Sequence, residues 1–110
     1  MIVPKLYEAP DKRTGEEYCI PGTSRRIDIL AVDKDDNFVV IELKVNRGHE
    51  KVVGQTLYYQ SMIRTLFNKP TVRAIIIARE ISAELNTATK YQPDIELFEY
   101  QLSLTLNKVK

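Results

Sequence analysis

The sequence predicts a small α/β domain, and three observations carry that reading. Two runs rich in branched residues, Arg26–Val32 and Phe38–Lys44, flank the polar turn Asp33-Lys34-Asp35-Asp36-Asn37, as in a hairpin. After Asn46-Arg47-Gly48 the apolar period changes from strand-like to helical. Beyond Pro70 a buried-strand pattern returns over Val72–Ala78. A hairpin, a helix and a further strand, in that order, make an α/β unit.

The elements follow in chain order. Residues 1–15 carry Pro4, Pro10, Gly15 and several charges without a period, so they read as an irregular arm with room for one short strand. Glu17–Ile20 is a candidate strand that ends at the turn Pro21-Gly22-Thr23-Ser24. Phe38–Lys44 is nearly continuously apolar, the pattern of a central strand covered on both faces. From His49 to Phe67 the helical stripe is Val52, Val53, Leu57, Ile63, Leu66 and Phe67, and Pro70 stops the helix. Ser82–Tyr91 reads as a short second helix with Ser82 as N-cap and Pro93 beyond it. Asp94–Leu106 holds one bent strand or two, with Ile95, Leu97 and Phe98, then Leu102, Leu104 and Leu106 alternating. No repeat, low-complexity segment or linker divides the chain, so residues 1–110 are expected to form one domain.

Composition narrows the functional classes. A chain of 110 residues supports a single core, and 44% apolar with 28% charged residues is globular rather than fibrous or disordered. The longest apolar run, Ala74–Ala78, is far too short to cross a bilayer, so no membrane role is expected. Met1-Ile2-Val3-Pro4-Lys5 lacks the apolar core of a secretory signal. The single cysteine, Cys19, excludes an internal disulfide and is expected as a small buried residue. The expected location is therefore cytoplasmic. A net charge of +1 gives no global electrostatic case for nucleic acid, so any such case must be local.

The local case begins at Asp28, followed fourteen residues later by Glu42-Leu43-Lys44. A hairpin symmetrical about Asp35 pairs Val32 with Phe38, Leu30 with Val40, and Asp28 with Glu42. Opposed residues on one sheet face have Cβ atoms about 4.5–5.5 Å apart. Lys44, two residues on, shares the face of Glu42, roughly 7 Å further along the strand. A one-residue slip would separate Asp28 from the other two. Opposed carboxylates repel each other, and a hard divalent cation held by one or two carboxylates resolves the conflict. The carbonyl of Leu43 lies within reach as a further ligand. Such a cation polarises a phosphate and acidifies a bound water, which Lys44 would orient or deprotonate. The competing reading makes Asp28 a strand-edge acid and Glu42 with Lys44 an ordinary solvated ion pair, since acid-x-lysine alone is common.

Taken together, Arg26-Ile27-Asp28-Ile29-Leu30-Ala31, the run from Asp33 through Glu42-Leu43-Lys44, and Gly54-Gln55-Thr56-Leu57-Tyr58-Tyr59 resemble the PD-(D/E)xK nuclease superfamily. The likeness is greatest to the C-terminal nuclease domain of the NucS/EndoMS endonucleases and covers residues from about 18 to 106, including Glu96-Leu97-Phe98-Glu99-Tyr100. Its most specific part is the combination of Asp28, Glu42-Leu43-Lys44 and Gln55-x-x-x-Tyr59. The resemblance implies a restriction-endonuclease-like α/β/α core with a central mixed β-sheet flanked by helices. It implies Asp28 and Glu42 as metal ligands, Lys44 as the catalytic lysine, and Gln55 and Tyr59 as accessory helix residues beside the site. The chain departs from the pattern at two places. The short arm stands where family members have an opening helix, leaving Glu16 and Glu17 as weak substitutes for its acid, and Arg25 stands where the family has glycine. Full-length members also carry a separate N-terminal domain for dimerisation and DNA binding, which these residues do not include.

The resulting expectation is a Mg²⁺- or Mn²⁺-dependent DNA endonuclease that leaves 5′-phosphate and 3′-hydroxyl ends. Arg25, Arg26, Arg47 and Lys51 fall near the site in the coarse fold and are candidate phosphate contacts. So small a core hardly encloses a duplex, so a homodimer or a specificity-giving protein partner is expected. A small junction- or flap-resolving nuclease and a catalytically inert nuclease-fold binding module are the alternatives. His49 has no second histidine or cysteine for a zinc site and is read as a surface or structural residue.

Overall fold

The computed structural model describes residues 4–10, 13–101, 103 and 105–110. Along the chain the elements are β1 (Lys5–Leu6), β2 (Glu16–Cys19), β3 (Arg26–Val32), β4 (Phe38–Gly48), α1 (Lys51–Phe67), β5 (Val72–Ile81), α2 (Ala83–Thr89) and β6 (Ile95–Glu99). They build one mixed sheet in the order β1-β3-β4-β5-β6, with β2 also paired to β3. β1, β2 and β4 run antiparallel to β3, whereas β4, β5 and β6 are mutually parallel. The two helices are the crossovers that parallel pairing demands.

The β3–β4 hairpin is closed by its own turn chemistry. The Asp33 Oδ1 accepts the amides of Asp35 at 2.9 Å and Asn37 at 3.0 Å, and Asp36 takes the left-handed conformation at φ 64°. Burial pushes the Asp33 carboxyl up, but those two amides and the Arg73 guanidinium together hold it below the usual carboxylate range. This turn fixes the register that places the candidate residues.

Strand β4 continues to Gly48, past the expected end at Lys44, because its pairing with β5 resumes at Arg47↔Glu80 and Gly48↔Ile81 after a bulge. For the same reason β5 runs on to Ile81 rather than ending at Ala78. Gly48 is buried there, and a Cβ on it would lie 3.1 Å from Leu85 Cδ2 and 3.2 Å from the Ala78 Cβ. Ser82 caps α2 as expected, its hydroxyl accepting the Leu85 amide at 3.0 Å. α1 ends at Asn68, whose left-handed φ of 51° lets its amide reach the Arg64 carbonyl.

The buried side of α1 is Val52, Thr56, Tyr59, Gln60 and Ile63. Leu57 and Leu66, expected in the core, are 40% and 43% exposed. The polar members of the buried line can take their place because each is satisfied by backbone: Thr56 donates to the Val52 carbonyl at 2.8 Å and Gln60 to that of Val72 at 2.9 Å. Cys19 is also exposed rather than buried, since on β2 its neighbour Tyr18 takes the inward position. Among the described residues the C-terminal stretch forms one strand, β6; Leu106 lies exposed outside it, and Leu102 and Leu104 lie outside the described residues.

The main core joins α1 and α2 to one side of the sheet through Leu30, Val40, Tyr59, Ile63, Ile76 and Leu85. A second cluster of Ala31, Val39 and Ile75, flanked by Ile29, Ile41, Ile77 and Phe98, contains no helical residue. Strand β4 is thus buried on both faces at Val39 and Val40, but its second face opens at Leu43, which is 47% exposed. Gly15 ties the N-terminal arm to β3: it donates to the Tyr7 carbonyl at 2.6 Å and accepts the Leu30 amide at 2.8 Å. A Cβ there would sit 1.9 Å from the Leu30 carbonyl oxygen, so only glycine permits this approach.

Candidate functional site

The hairpin register is the one expected from symmetry about Asp35: Val32↔Phe38, Leu30↔Val40 and Ile29↔Ile41. It stops there. Leu30 spends both backbone groups on the arm, giving its amide to Gly15 and its carbonyl to Tyr7, so alternate residues of β3 face β4. The next amide of β4 directed at β3 is that of Leu43, and an unbroken ladder would give it to the Ile27 carbonyl. It goes instead to the side chain of Asp28, at 2.8 Å from Oδ2. Ile27 and Leu30, three residues apart, both belong to the helix-side core, so strict alternation fails between them. Asp28 and Glu42 are therefore not a directly opposed ladder pair. The Asp28 carboxylate lies in line with the sheet hydrogen bonds, where the strands part.

Glu42 sits beside it, 2% exposed, and its Oε1 has no hydrogen-bond partner. Burial, then a hydrogen bond with Asp28 and the Asp28 charge, push its carboxyl up to about 8, while the charge of Lys44 pulls the other way. At neutral pH Glu42 thus keeps its proton beside Asp28, and a buried acid raised this far is typical of functional sites rather than of a solvated surface pair. Lys44 follows two residues on, half-buried, and shares the face of Glu42.

These residues fit a hard divalent cation. The Glu42 carboxyl, with its orphaned Oε1, and the Asp28 carboxylate are neighbours, and the Leu43 carbonyl, which points the same way as its amide, faces β3 beside Asp28. Among the described residues no three His, Cys, Asp or Glu side chains gather as a closed cage. Two carboxylates with a carbonyl suit Mg²⁺ or Mn²⁺, which keep much of their water, better than an all-protein zinc site.

The other candidate residues distribute unevenly. Gln55 and Tyr59 are joined to each other, Gln55 Nε2 donating to the Tyr59 hydroxyl at 3.0 Å, and Tyr59 is 2% exposed. Arg25 lies with its guanidinium 4.7 Å from the centre of the Tyr58 ring, which ties the β2–β3 turn to α1. Tyr58 carries no signal of its own in the sequence, because its partner Arg25 is thirty-three residues away and meets it only in the fold. Arg47 is engaged with Glu80 on β5 at 3.6 Å. Arg26, opposite Cys19, and Lys51, at the start of α1, are exposed. His49 is exposed too, as expected.

The family model of the endonuclease NucS C-terminal domain matches residues 2–99. The chain belongs to that family. The endonuclease NucS of Methanocaldococcus jannaschii is 30% identical over 79 residues, which is 72% of this chain and 29% of that protein. The crystal structure of a repair endonuclease from Pyrococcus abyssi superposes with a TM-score of 0.68 at 24% identity, over 78% of this chain and 36% of that one. An EndoMS–dsDNA complex gives a TM-score of 0.66 at 23% identity, over 89% of this chain and 37% of that one. The NucS-family chain thus spans about a third of the length of these relatives and shares the fold of their matching part. Among the described residues no helix is long and apolar enough to cross a membrane.

Proposed function

We propose that this chain is a PD-(D/E)xK nuclease domain that hydrolyses DNA phosphodiester bonds with Mg²⁺ or Mn²⁺, leaving 5′-phosphate and 3′-hydroxyl ends. The observation that carries the reading is the Asp28–Glu42 pair, with Glu42 buried, its Oε1 unpartnered and its carboxyl raised by that burial and by its neighbour. A solvated structural ion pair has none of these features. The names of the relatives agree, since one is an endonuclease and another is an EndoMS bound to double-stranded DNA.

Asp28 and Glu42 would hold the cation through carboxylate oxygens, with the Leu43 carbonyl as a neutral ligand. When bound, the cation supplies Lewis acidity at the scissile phosphate and acidifies a water. Lys44 would orient the attacking water and offset charge developing on the phosphate oxygens. The Gln55–Tyr59 pair stands as a hydrogen-bonded unit on α1, accessory to the carboxylates. Arg25 in the β2–β3 turn and Arg26 at the start of β3 precede Asp28 and offer phosphate contacts, with Arg47 and Lys51 further round. A domain of this size grips a duplex as a homodimer or through a partner that chooses the substrate, in the cytoplasm.

The test is a nicking assay on supercoiled DNA with and without Mg²⁺, comparing wild type with Lys44→Ala, followed by a panel of mismatched, branched and single-stranded substrates. Metal-dependent nicking lost in the variant supports the proposal. Equal nicking by both proteins would remove Lys44 from the chemistry.

A further inference from the structure

The pairing of β4 with β5 breaks immediately after Lys44. Lys44 pairs with Ala78 and pairing resumes at Arg47↔Glu80, so Val45 and Asn46 together oppose the single residue Arg79. Such a bulge frees backbone groups and lets the strand twist, and bulges are common beside active sites because they re-aim a side chain. Left alone, it would also loosen the segment that must hold Lys44 still.

One side chain closes the gap. The Tyr100 hydroxyl donates to the Val45 carbonyl at 2.6 Å, across fifty-five residues of sequence. Tyr100 is itself fixed, because its amide donates at 3.0 Å to the carbonyl of Ala78, the partner of Lys44. Two residues beyond Phe98, it extends the side of β6 that packs on the helix-free cluster. Lys44 shares its side of β4 with Glu42 and with Val40 of the main core. The phenol therefore crosses β5 on the back of the sheet and grips the backbone one residue past Lys44, where it does not touch the reacting groups.

We propose that Tyr100 is a positioning residue for Lys44, a strap that fixes the bulge so that the ammonium is held at its working place. The inference rests on the catalytic reading of Lys44 given above. A displacement of about 1 Å in a catalytic group costs up to a hundredfold in rate. Loss of the strap therefore acts on turnover, while the carboxylates and the phosphate-facing Arg25 and Arg26, which lie outside the bulge, are left as they were.

The experiment compares Tyr100→Phe with wild type and with Lys44→Ala, measuring kcat and KM on one DNA substrate, Mn²⁺ affinity by calorimetry, and amide exchange at Asn46 and Arg47. In Tyr100→Phe, kcat is expected to fall about tenfold, with KM and Mn²⁺ affinity unchanged and faster exchange at the bulge. Unchanged kcat in Tyr100→Phe, with cleavage abolished in Lys44→Ala, overturns the strap and leaves the reading of Lys44 standing. Full cleavage by Lys44→Ala overturns both. A fall in kcat that comes only with a loss of cooperative unfolding assigns Tyr100 to stability and also overturns the strap.

Discussion

The Asp28 carboxylate accepts the Leu43 amide at 2.8 Å, at the point where β3 parts from β4. A side chain thus replaces a ladder bond and anchors one carboxylate next to the residue that follows the other. Removing it should leave the Leu43 amide without its charged acceptor. Asp28→Ala is expected to lose about 1–2 kcal/mol of stability, measured by urea unfolding at pH 5, where Glu42 is protonated in the folded protein. Asp28→Asn keeps an acceptor and should recover most of that loss without recovering Mn²⁺ affinity. Equal stability of wild type and the alanine variant would count against the anchoring role.

Glu42 makes stability depend on pH in a definite direction. Its carboxyl moves from an ordinary 4.5 to about 8 on folding. Between these values the folded state holds a proton that the unfolded chain has released, so stability falls as pH rises, by about 1.4 kcal/mol per pH unit. The loss is complete above the folded value, and below the unfolded value it is absent. Metal-free wild type should therefore melt lower at pH 8 than at pH 5, whereas Glu42→Gln should be much flatter over that range. A wild-type melting temperature independent of pH would remove the buried Glu42 proton from the account.

Gly15 is needed for the arm to reach β3. A methyl group 1.9 Å from the Leu30 carbonyl must displace backbone, so Gly15→Ala should cost more than about 3 kcal/mol. Thermal unfolding reads this directly. The same change at Gly54, which has nothing within 4 Å of an added Cβ, should be neutral or stabilising.

The cations around the site should not contribute equally to DNA affinity. Arg25 has no acidic partner among the described residues and is held on Tyr58, whereas Arg47 already faces Glu80. Arg25→Ala should reduce the slope of log affinity against log salt by about 1, and Arg47→Ala by much less. Fluorescence anisotropy with a labelled duplex across a salt series decides this. Equal slopes for the two variants would contradict the distinction.

The parts of this structure legible in the sequence are those set by neighbouring residues. The Asp33–Asn37 turn gave the hairpin register, and Ser82 gave the start of α2. Asp28, Glu42 and Lys44 were legible as candidates from their spacing. Their mutual geometry was not, because Ile27, Ile29 and Leu30 are all apolar and nothing in the sequence marks where alternation fails. Apolarity misplaced Leu57 and Leu66, since Thr56 and Gln60 are buried through backbone bonds that no local pattern announces. The extension of β4 past Lys44 depends on β5, and the bond from Tyr100 to Val45 joins residues too far apart in the chain to leave a local signature.

The central claim is that Asp28 and Glu42 hold a divalent cation that displaces the proton of Glu42. Calorimetric titration of the protein with Mn²⁺ at pH 7, in two buffers of different ionisation enthalpy, measures binding and proton release together. The account predicts saturable binding by wild type with release of nearly one proton, and severe loss of binding in Glu42→Gln. Binding without proton release, or equal binding by the glutamine variant, would contradict it.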